Sequence, residues 1–341
     1  MKHISNLAAV ASVVGATLGM PAQAQETTKL KVASFLPESH HIVAHGTQVW
    51  MDAVTDSGAP VEFEFYPAQQ AGKANQLLDL MTAGALDVVE IALGYYTDRF
   101  PLFGVVEMPG MYQNPCNGAQ AIRRLASEGG VIYEDDIAPK GLHPLSFYVF
   151  PSYATISRQP IHGAEDFAGR KIRTAGGAME LEVSELGGVA VKMSSPEIMQ
   201  SLSRGTIDGA MLTYLSSKQY ELYRSAQYGT SGYSFGGAIV ILMMTDQKYQ
   251  ALSDEAKAAV DAAGVEAEQA YCSYAVEGNA EAMAFMKEQG VEIHEITEDE
   301  KAGLDTKLAS LSDNWAAQLE QIGKPGAKAL AEFRALLESN E

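Results

Sequence analysis

Cysteine is scarce in this chain: its 341 residues include two, Cys116 and Cys272. That excludes a disulfide-rich scaffold and a zinc site built from four cysteines. Cations are few as well, with 24 Lys and Arg against 43 Asp and Glu and a net charge of −19. Such a balance argues against nucleic acid, whose phosphates need clustered cations. It leaves room for a small anionic ligand, because one buried arginine can bind an anion inside an acidic protein. Beyond the N-terminus no apolar run is long enough for a membrane span; the longest, Phe235 to Met244, suits a buried strand. A G-x-S-x-G elbow, a P-loop, an H-E-x-x-H motif and a Rossmann G-x-G-x-x-G are all missing, so the expectation is a protein that is not an enzyme and needs no cofactor. Hydrophobic residues at 47% and charged residues at 20% support a well-packed core rather than disorder.

Residues 1–24 read as a secretory signal. Lys2 supplies the positive start, Ala8 to Met20 is apolar and small, and Ala22-Gln23-Ala24 fits the small-x-small cleavage pattern. The apolar stretch is short for a membrane anchor, and export followed by cleavage is expected. In an oxidising compartment Cys116 and Cys272 are available for a disulfide; the alternative is two separate thiols, one in a loop and one on a helix.

Strand-like and helix-like stretches then alternate. Leu30 to Phe35, Val61 to Tyr66 and Leu86 to Leu93 read as strands, with helical patterns over Ile42 to Val54 and Ala74 to Ala83 between them. The same grammar recurs from Lys171 to Thr213, where Ser195 before Pro196 reads as a helix cap. This implies βαβ units, mostly parallel sheets and an α/β class. Gly84-Ala85-Leu86-Asp87 and Gly205-Thr206-Ile207-Asp208 form an internal echo: each glycine falls where a helix should end in a left-handed cap, and each aspartate opens the next strand. Two α/β lobes built alike would produce it. Ser253 to Gly290 is a long proline-free helical stretch that Gly264 and Gly278 are placed to bend or break.

Arg173 is the leading site candidate. It sits at the C-terminal end of a predicted buried strand, where open α/β sheets bind ligands, and its guanidinium can grip a carboxylate in a bidentate fork. A surface pairing with Glu180 or Asp208 is the alternative. Aromatics gather near strand ends, among them Phe35, Tyr95, Tyr153, Tyr214 and Tyr233, and would suit the walls of a small-molecule cleft. His40, His41 and His45, with Glu38 nearby, make the one histidine cluster, and a metal-binding role is a minor alternative.

Taken together, several elements resemble the solute-binding proteins of tripartite ATP-independent periplasmic (TRAP) transporters, the DctP-like family. They are Leu36-Pro37-Glu38-Ser39-His40-His41, Tyr66-Pro67-Ala68-Gln69-Gln70-Ala71-Gly72, Val106 to Tyr112, Asp166-Phe167-Ala168-Gly169-Arg170-Lys171-Ile172-Arg173 and Gly205 to Gly209. The resemblance implies a two-lobed periplasmic binding protein fold, type II-like, with crossing strands and one long lobe-connecting helix. On this reading the first lobe comprises residues 25–150 and about 238–282, and the second 151–237 and about 283–341. The resemblance also implies that Arg173 binds a ligand carboxylate from the second lobe while Phe35, Gln70 and Tyr95 close from the first. Tyr153, Thr213, Tyr214 and Tyr233 complete the expected ligand set, with no metal. Many dicarboxylate and sialic-acid binders of the family carry a second arginine where this chain has Tyr153. Together with the apolar stretch Met211-Leu212-Thr213-Tyr214, that favours a monocarboxylate with an aromatic or aliphatic body; a hydroxylated or sulfonated acid also fits. A dicarboxylate binder is the alternative, and Lys73, Lys192 or Arg158 would have to supply its second cation. The implied partners are the small and large permease subunits in the membrane, the implied location is the periplasm, and a monomer is expected.

Overall fold

The computed structural model describes residues 27–339, so the expected signal segment lies outside the described residues. Eleven strands are described: β1 (Thr28–Ser34), β2 (Val61–Tyr66), β3 (Val88–Ala92), β4 (Leu142–Val149), β5 (Ala154–Ser157), β6 (Lys171–Thr174), β7 (Val189–Lys192), β8 (Gly209–Leu212), β9 (Tyr228–Ser231), β10 (Ile239–Thr245) and β11 (Glu292–Glu295). They form two sheets, one ordered β2-β1-β3-β10-β4 and the other β11-β9-β5-β8-β6-β7. The α/β expectation holds, but neither sheet is wholly parallel. β10 runs antiparallel to β3 and β4, and β5 runs antiparallel to β8 and β9. The exceptions are strands that the chain enters directly from the opposite sheet. No helical crossover turns them round, so they arrive reversed.

The two direct strand-to-strand passages between the sheets, residues 150–153 and 232–238, lie side by side, and a third runs from β10 to β11 by way of helices. Phe150 donates its N–H to the Ala238 carbonyl (3.0 Å), Tyr153 to Gly236 (2.9 Å) and Phe235 to Tyr153 (3.0 Å). They are the double connection about which the lobes are joined. The apolar run predicted as a buried strand becomes β10, whose Ile239 to Met244 are all buried.

The echo seen in the sequence is structural. Gly84 and Gly205 both adopt positive φ, at 78° and 68°. Asp87 then accepts a bond from the Lys31 amide (2.8 Å) while its own N–H reaches the Lys31 carbonyl (3.0 Å). Asp208 does the same with Lys171, at 2.8 and 2.7 Å. In each lobe the aspartate thus locks the incoming strand onto its parallel neighbour. In the second lobe that neighbour is β6, which carries Arg173.

Residues Asp254–Glu288 form one unbroken helix of 35 residues, capped by Ser253. Gly264 and Gly278 do not interrupt it. At Gly264 a Cβ would lie 2.0 Å from the Leu145 carbonyl oxygen, so the glycine lets the helix lie directly on β4. The helix binds both lobes: Trp50 donates to the Val260 carbonyl (3.0 Å) and Leu215 donates to Asn279 Oδ1 (3.1 Å). The final helix, Gly326–Glu338, packs on the helix Pro115–Leu125 and the turn Pro101–Glu107, on the side of the first sheet, although the sequence reading groups its residues with the second lobe.

Cys116 and Cys272 are joined as a disulfide, with Cα atoms 5.2 Å apart. It ties the helix Pro115–Leu125 to the long helix, where Arg123 also pairs with Glu268 at 2.7 Å. A cross-link closing a loop this long restricts the unfolded chain strongly. The Cys116→Ser/Cys272→Ser double variant should therefore lose about 2–4 kcal/mol of unfolding free energy, measured by denaturant titration, and reduction of wild type should reproduce the loss.

Candidate ligand-binding site

Arg173 enters the interior because it occupies the inward position of β6, opposite Val191 of β7 and Ala210 of β8. It is 1% exposed. Its Nε donates to the Met193 carbonyl (3.1 Å) and its Nη1 to the Met211 carbonyl (3.5 Å). Its Nη2 donates to Ser195 Oγ (3.2 Å) and Tyr95 Oη (3.4 Å). Every one of these acceptors is neutral, and the surface pairing with Glu180 or Asp208 does not form. A buried cation without a buried anion is costly unless something supplies the missing charge.

Tyr95 comes from the first lobe, on the turn Leu93–Tyr96 that directly follows β3. Its hydroxyl accepts from the Ser195 amide (2.8 Å) and lies 3.0 Å from Ser195 Oγ. Ser195 is free for this because Ser194, not Ser195, caps the following turn. Ser194 N–H and hydroxyl both bond the Glu197 carboxylate, so the expected cap shifts by one residue.

Arg173, Tyr95, Tyr153 and Phe35 all line one small enclosed cavity between the lobes, of about 20 Å³, together with His40, Phe150, Ser195, Ser216 and Tyr220. Phe35 meets Tyr95 edge-on, with ring centroids 5.7 Å apart. Burial holds the Tyr153 hydroxyl well above the usual phenol range, with the Arg173 charge pulling the other way. The remaining expected residues lie elsewhere. Gln70 is exposed in a tight turn after β2; its neighbour Gln69 reaches the cavity's outer vestibule instead. Thr213 is buried but caps the helix Tyr214–Gln219 through the Ser216 amide. Tyr214 donates its hydroxyl to the Thr230 carbonyl (2.6 Å), a bond within the second sheet's own layer. Tyr233 stacks edge-on against Phe235 and donates to Asp305 (3.0 Å) in a separate open groove. These three aromatic or hydroxyl side chains spend their polar atoms on the fold.

The histidines do not converge. His40 and His41 stack at 4.4 Å, whereas His45 turns away to stack on Tyr274 at 3.5 Å. His41 instead links the lobes: its ring bonds Ser216 Oγ (2.9 Å) and its amide donates to Gln219 Oε1 (3.1 Å). Burial lowers the His40 pKa to about 3 and His41 well below its ordinary value, so both rings are neutral. Among the described residues no three His, Cys, Asp or Glu side chains are grouped to hold a metal. Of the possible second cations, Lys73 and Lys192 stand at the outer vestibule, where Lys192 bonds Thr97 of the first lobe (3.2 Å), and Arg158 lies against Gly205. None of the three lines the inner cavity. Sequence reasoning missed Ser195, Phe150, Ser216 and Tyr220 as lining residues, and took His40 for a metal candidate; no local pattern marks them.

Two α/β lobes meet over a buried guanidinium that has no anionic partner among the described residues. The chain belongs to the DctP family, described as bacterial extracellular solute-binding protein, family 7, whose profile it matches over residues 32–318. It is similar to a solved TRAP solute-binding protein from Rhodoferax ferrireducens, obtained with copurified benzoate: 26% identity, 92% of this chain and 98% of that chain covered, TM-score 0.84. A marine metagenome TRAP solute-binding protein solved with metahydroxyphenylacetate shares the fold at 24% identity, covering 91% and 98% with a TM-score of 0.84. A solute-binding protein of Chromohalobacter salexigens is 24% identical over 267 residues, 77% of each chain. The family is one of transport proteins, and TRAP solute-binding proteins are periplasmic.

Glu107 is a second titratable group that spans the lobes. It ends the turn Pro101–Glu107, and its carboxylate accepts from the Ala178 amide (3.1 Å), at the start of the second-lobe helix Ala178–Glu185. Burial raises its pKa from 4.5 to about 8, against the lowering pull of that amide and of Lys192. The sign follows from linkage. The folded protein keeps a proton that the unfolded chain releases near pH 4.5, so this contribution is fully present below pH 4.5 and is lost as pH rises through about 8. Buried histidines act in the opposite direction at low pH, so the comparison is with a variant. Glu107→Gln mimics the protonated acid. It should match wild type in Tm near pH 4, exceed it by a margin that widens as pH rises toward 8, and hold that margin above about pH 8, as read by thermal melts from pH 4 to 9.

Proposed function

We propose that this protein captures a small monocarboxylate, with an aromatic or aliphatic body, by lobe closure in the periplasm and delivers it to TRAP permease subunits in the membrane. The observation that carries this reading is Arg173, buried, without an anionic partner, and bonded across the lobes to Tyr95. A ligand carboxylate supplies the missing charge through charge-assisted bonds. The walls around it are apolar or aromatic: Phe35, Phe150, Tyr153 and Ile239. A benzoate-bearing relative of the same fold at 26% identity supports the same ligand class.

Closure follows from where the contacts lie. Arg173 and Ser195 belong to the second lobe, Tyr95 and Phe35 to the first, and the cavity between them is too small for an acid unless the lobes separate. An entering carboxylate takes up donors of Arg173 now shared with Tyr95 and Ser195. Its body then touches both lobes, which shifts the population toward the closed state. Lys73 and Lys192 at the outer vestibule attract the anion to the entrance of an otherwise acidic protein. Export of the mature chain rests on the signal-like residues 1–24.

Thermal-shift screening of the mature protein against aliphatic and aromatic monocarboxylates, dicarboxylates, sugar acids and divalent metals tests the class. A shift confined to monocarboxylates is expected; one confined to dicarboxylates or metals would overturn it. Arg173→Ala should then weaken the responding acid by at least about 1.5–3 kcal/mol, read by titration calorimetry, and unchanged affinity would remove Arg173 from the site.

A further inference from the structure

The cavity has a second polar face besides Arg173. His40 is 4% exposed and lines the cavity, and its Nε2 is buried with no hydrogen-bond partner. Tyr220 lines it too, and its hydroxyl is likewise buried and unpartnered. The two rings lie 5.6 Å apart between centroids. They come from opposite lobes: His40 from the turn after β1, where its amide bonds the Pro37 carbonyl (2.9 Å), and Tyr220 from the end of the helix Tyr214–Gln219. The Gln219 side chain, between them in the chain order of that helix end, donates to the Ser39 carbonyl (3.0 Å) and accepts from His41, so this face is clamped when the lobes are closed.

The protonation state of His40 can be assigned from its neighbours. The Ile42 amide points at Nδ1 (3.4 Å), which makes Nδ1 the acceptor and leaves the proton on Nε2. Nε2 is then a buried donor without a partner on a residue that lines the cavity, and Tyr220 adds an equally unpartnered hydroxyl that can donate or accept. Buried polar groups left without partners are costly, so a site of this kind rewards a ligand that satisfies them and rejects one that does not.

We propose that His40 and Tyr220 form an uncharged recognition pole which selects acids bearing a neutral oxygen acceptor, a hydroxyl or carbonyl, on the body held by Arg173. The inference rests on the carboxylate reading of Arg173 and adds the substituent. Because burial keeps His40 neutral, with its pKa lowered to about 3, the pole offers hydrogen bonds without a compensating charge. A second carboxylate there would be an unpaired buried anion, so a dianion is disfavoured where a hydroxyl is welcomed.

The test is titration calorimetry with benzoate, its three monohydroxy isomers and its three monomethyl isomers, using wild type, His40→Phe and Tyr220→Phe. Methyl fills the space of hydroxyl without its hydrogen bonds. In wild type one hydroxy isomer should bind at least about tenfold more tightly than the methyl isomer of the same pattern. Each variant should cut that ratio to below about threefold, with the affinity for the methyl isomer kept. A ratio near one for all three patterns in wild type, or a preference that survives in both variants, overturns the proposal. If the methyl isomers still bind in an Arg173-dependent way in that case, the carboxylate reading stands and only the pole is lost. If no acid of the set binds wild type, the pole proposal falls, and the carboxylate reading is decided separately by the aliphatic acids of the thermal-shift panel. Should His40→Phe fail to fold, as a melt would show, Tyr220→Phe removes a single oxygen and decides alone.

Discussion

A guanidinium held in the dark of the protein, among neutral acceptors, is the constraint from which the rest of the site follows. Arg173 is 1% exposed and gathers two carbonyls and two hydroxyls but no carboxylate. Placing a full charge there costs several kcal/mol even after relaxation. A structural arginine would recover that cost through a fixed ion pair, as Arg123 does with Glu268 beneath the long helix. Arg173 instead is oriented by the Met193 and Met211 carbonyls at Nε and Nη1 and leaves Nη2 to two hydroxyls, Ser195 of its own lobe and Tyr95 across the cleft. Tyr95 sits on the opposite lobe, so opening the protein and freeing the arginine are the same motion.

The scaffold makes that motion orderly. Each lobe locks its central parallel strands by the same device, an aspartate clasping a lysine amide and carbonyl, at Asp87 with Lys31 and at Asp208 with Lys171. Arg173 lies two residues beyond the second clasp, so its position within the lobe is rigid. The paired passages at 150–153 and 232–238, by contrast, hold each other by a few backbone bonds. Stiff lobes on a narrow double connection favour hinge motion over distortion of the site itself. The long helix lies along both lobes, and the disulfide fastens its middle to the first of them.

How much of this could be read in advance depended on whether the signal was local. Strand β6 and its arginine follow from a short periodic stretch, and both left-handed glycines with their aspartates stood out as a repeated phrase. The cap at Ser194 differed from the expected one by a single residue, since Ser194 and Ser195 are chemically alike and only Glu197 bonding decides between them. That single residue determines which serine is left for Arg173. Tyr214 and Tyr233 were expected in the site because aromatics cluster near strand ends, yet their hydroxyls serve Thr230 and Asp305. Which aromatic faces the cavity depends on tertiary packing that no residue spacing encodes. His40 is the clearest instance: within a cluster of three histidines whose spacing left a metal only as a minor alternative, stacking on Tyr274 removes His45 and the lobe interface claims His41.

The remaining tension is that the proposed ligand of a chain of net charge −19 is itself an anion. It dissolves on considering range. In physiological salt, exposed charges are screened beyond about 8 Å, so the bulk of the acidic surface is hardly felt at the cleft. The outer pocket that shares Tyr95 with the inner cavity is lined by two cations, Lys73 and Lys192, against one carboxylate, Glu197, which Ser194 already bonds; Arg173 stands behind Tyr95. Inside, screening fails and each charge counts in full, and Glu107, the carboxylate near Arg173 and Lys192, has its pKa raised to about 8 and so carries a proton at neutral pH. Burial therefore neutralises a carboxyl whose charge would compete for the guanidinium. Around Arg173 the local charge is cationic because the exterior's charge is screened and the neighbouring Glu107 is held protonated.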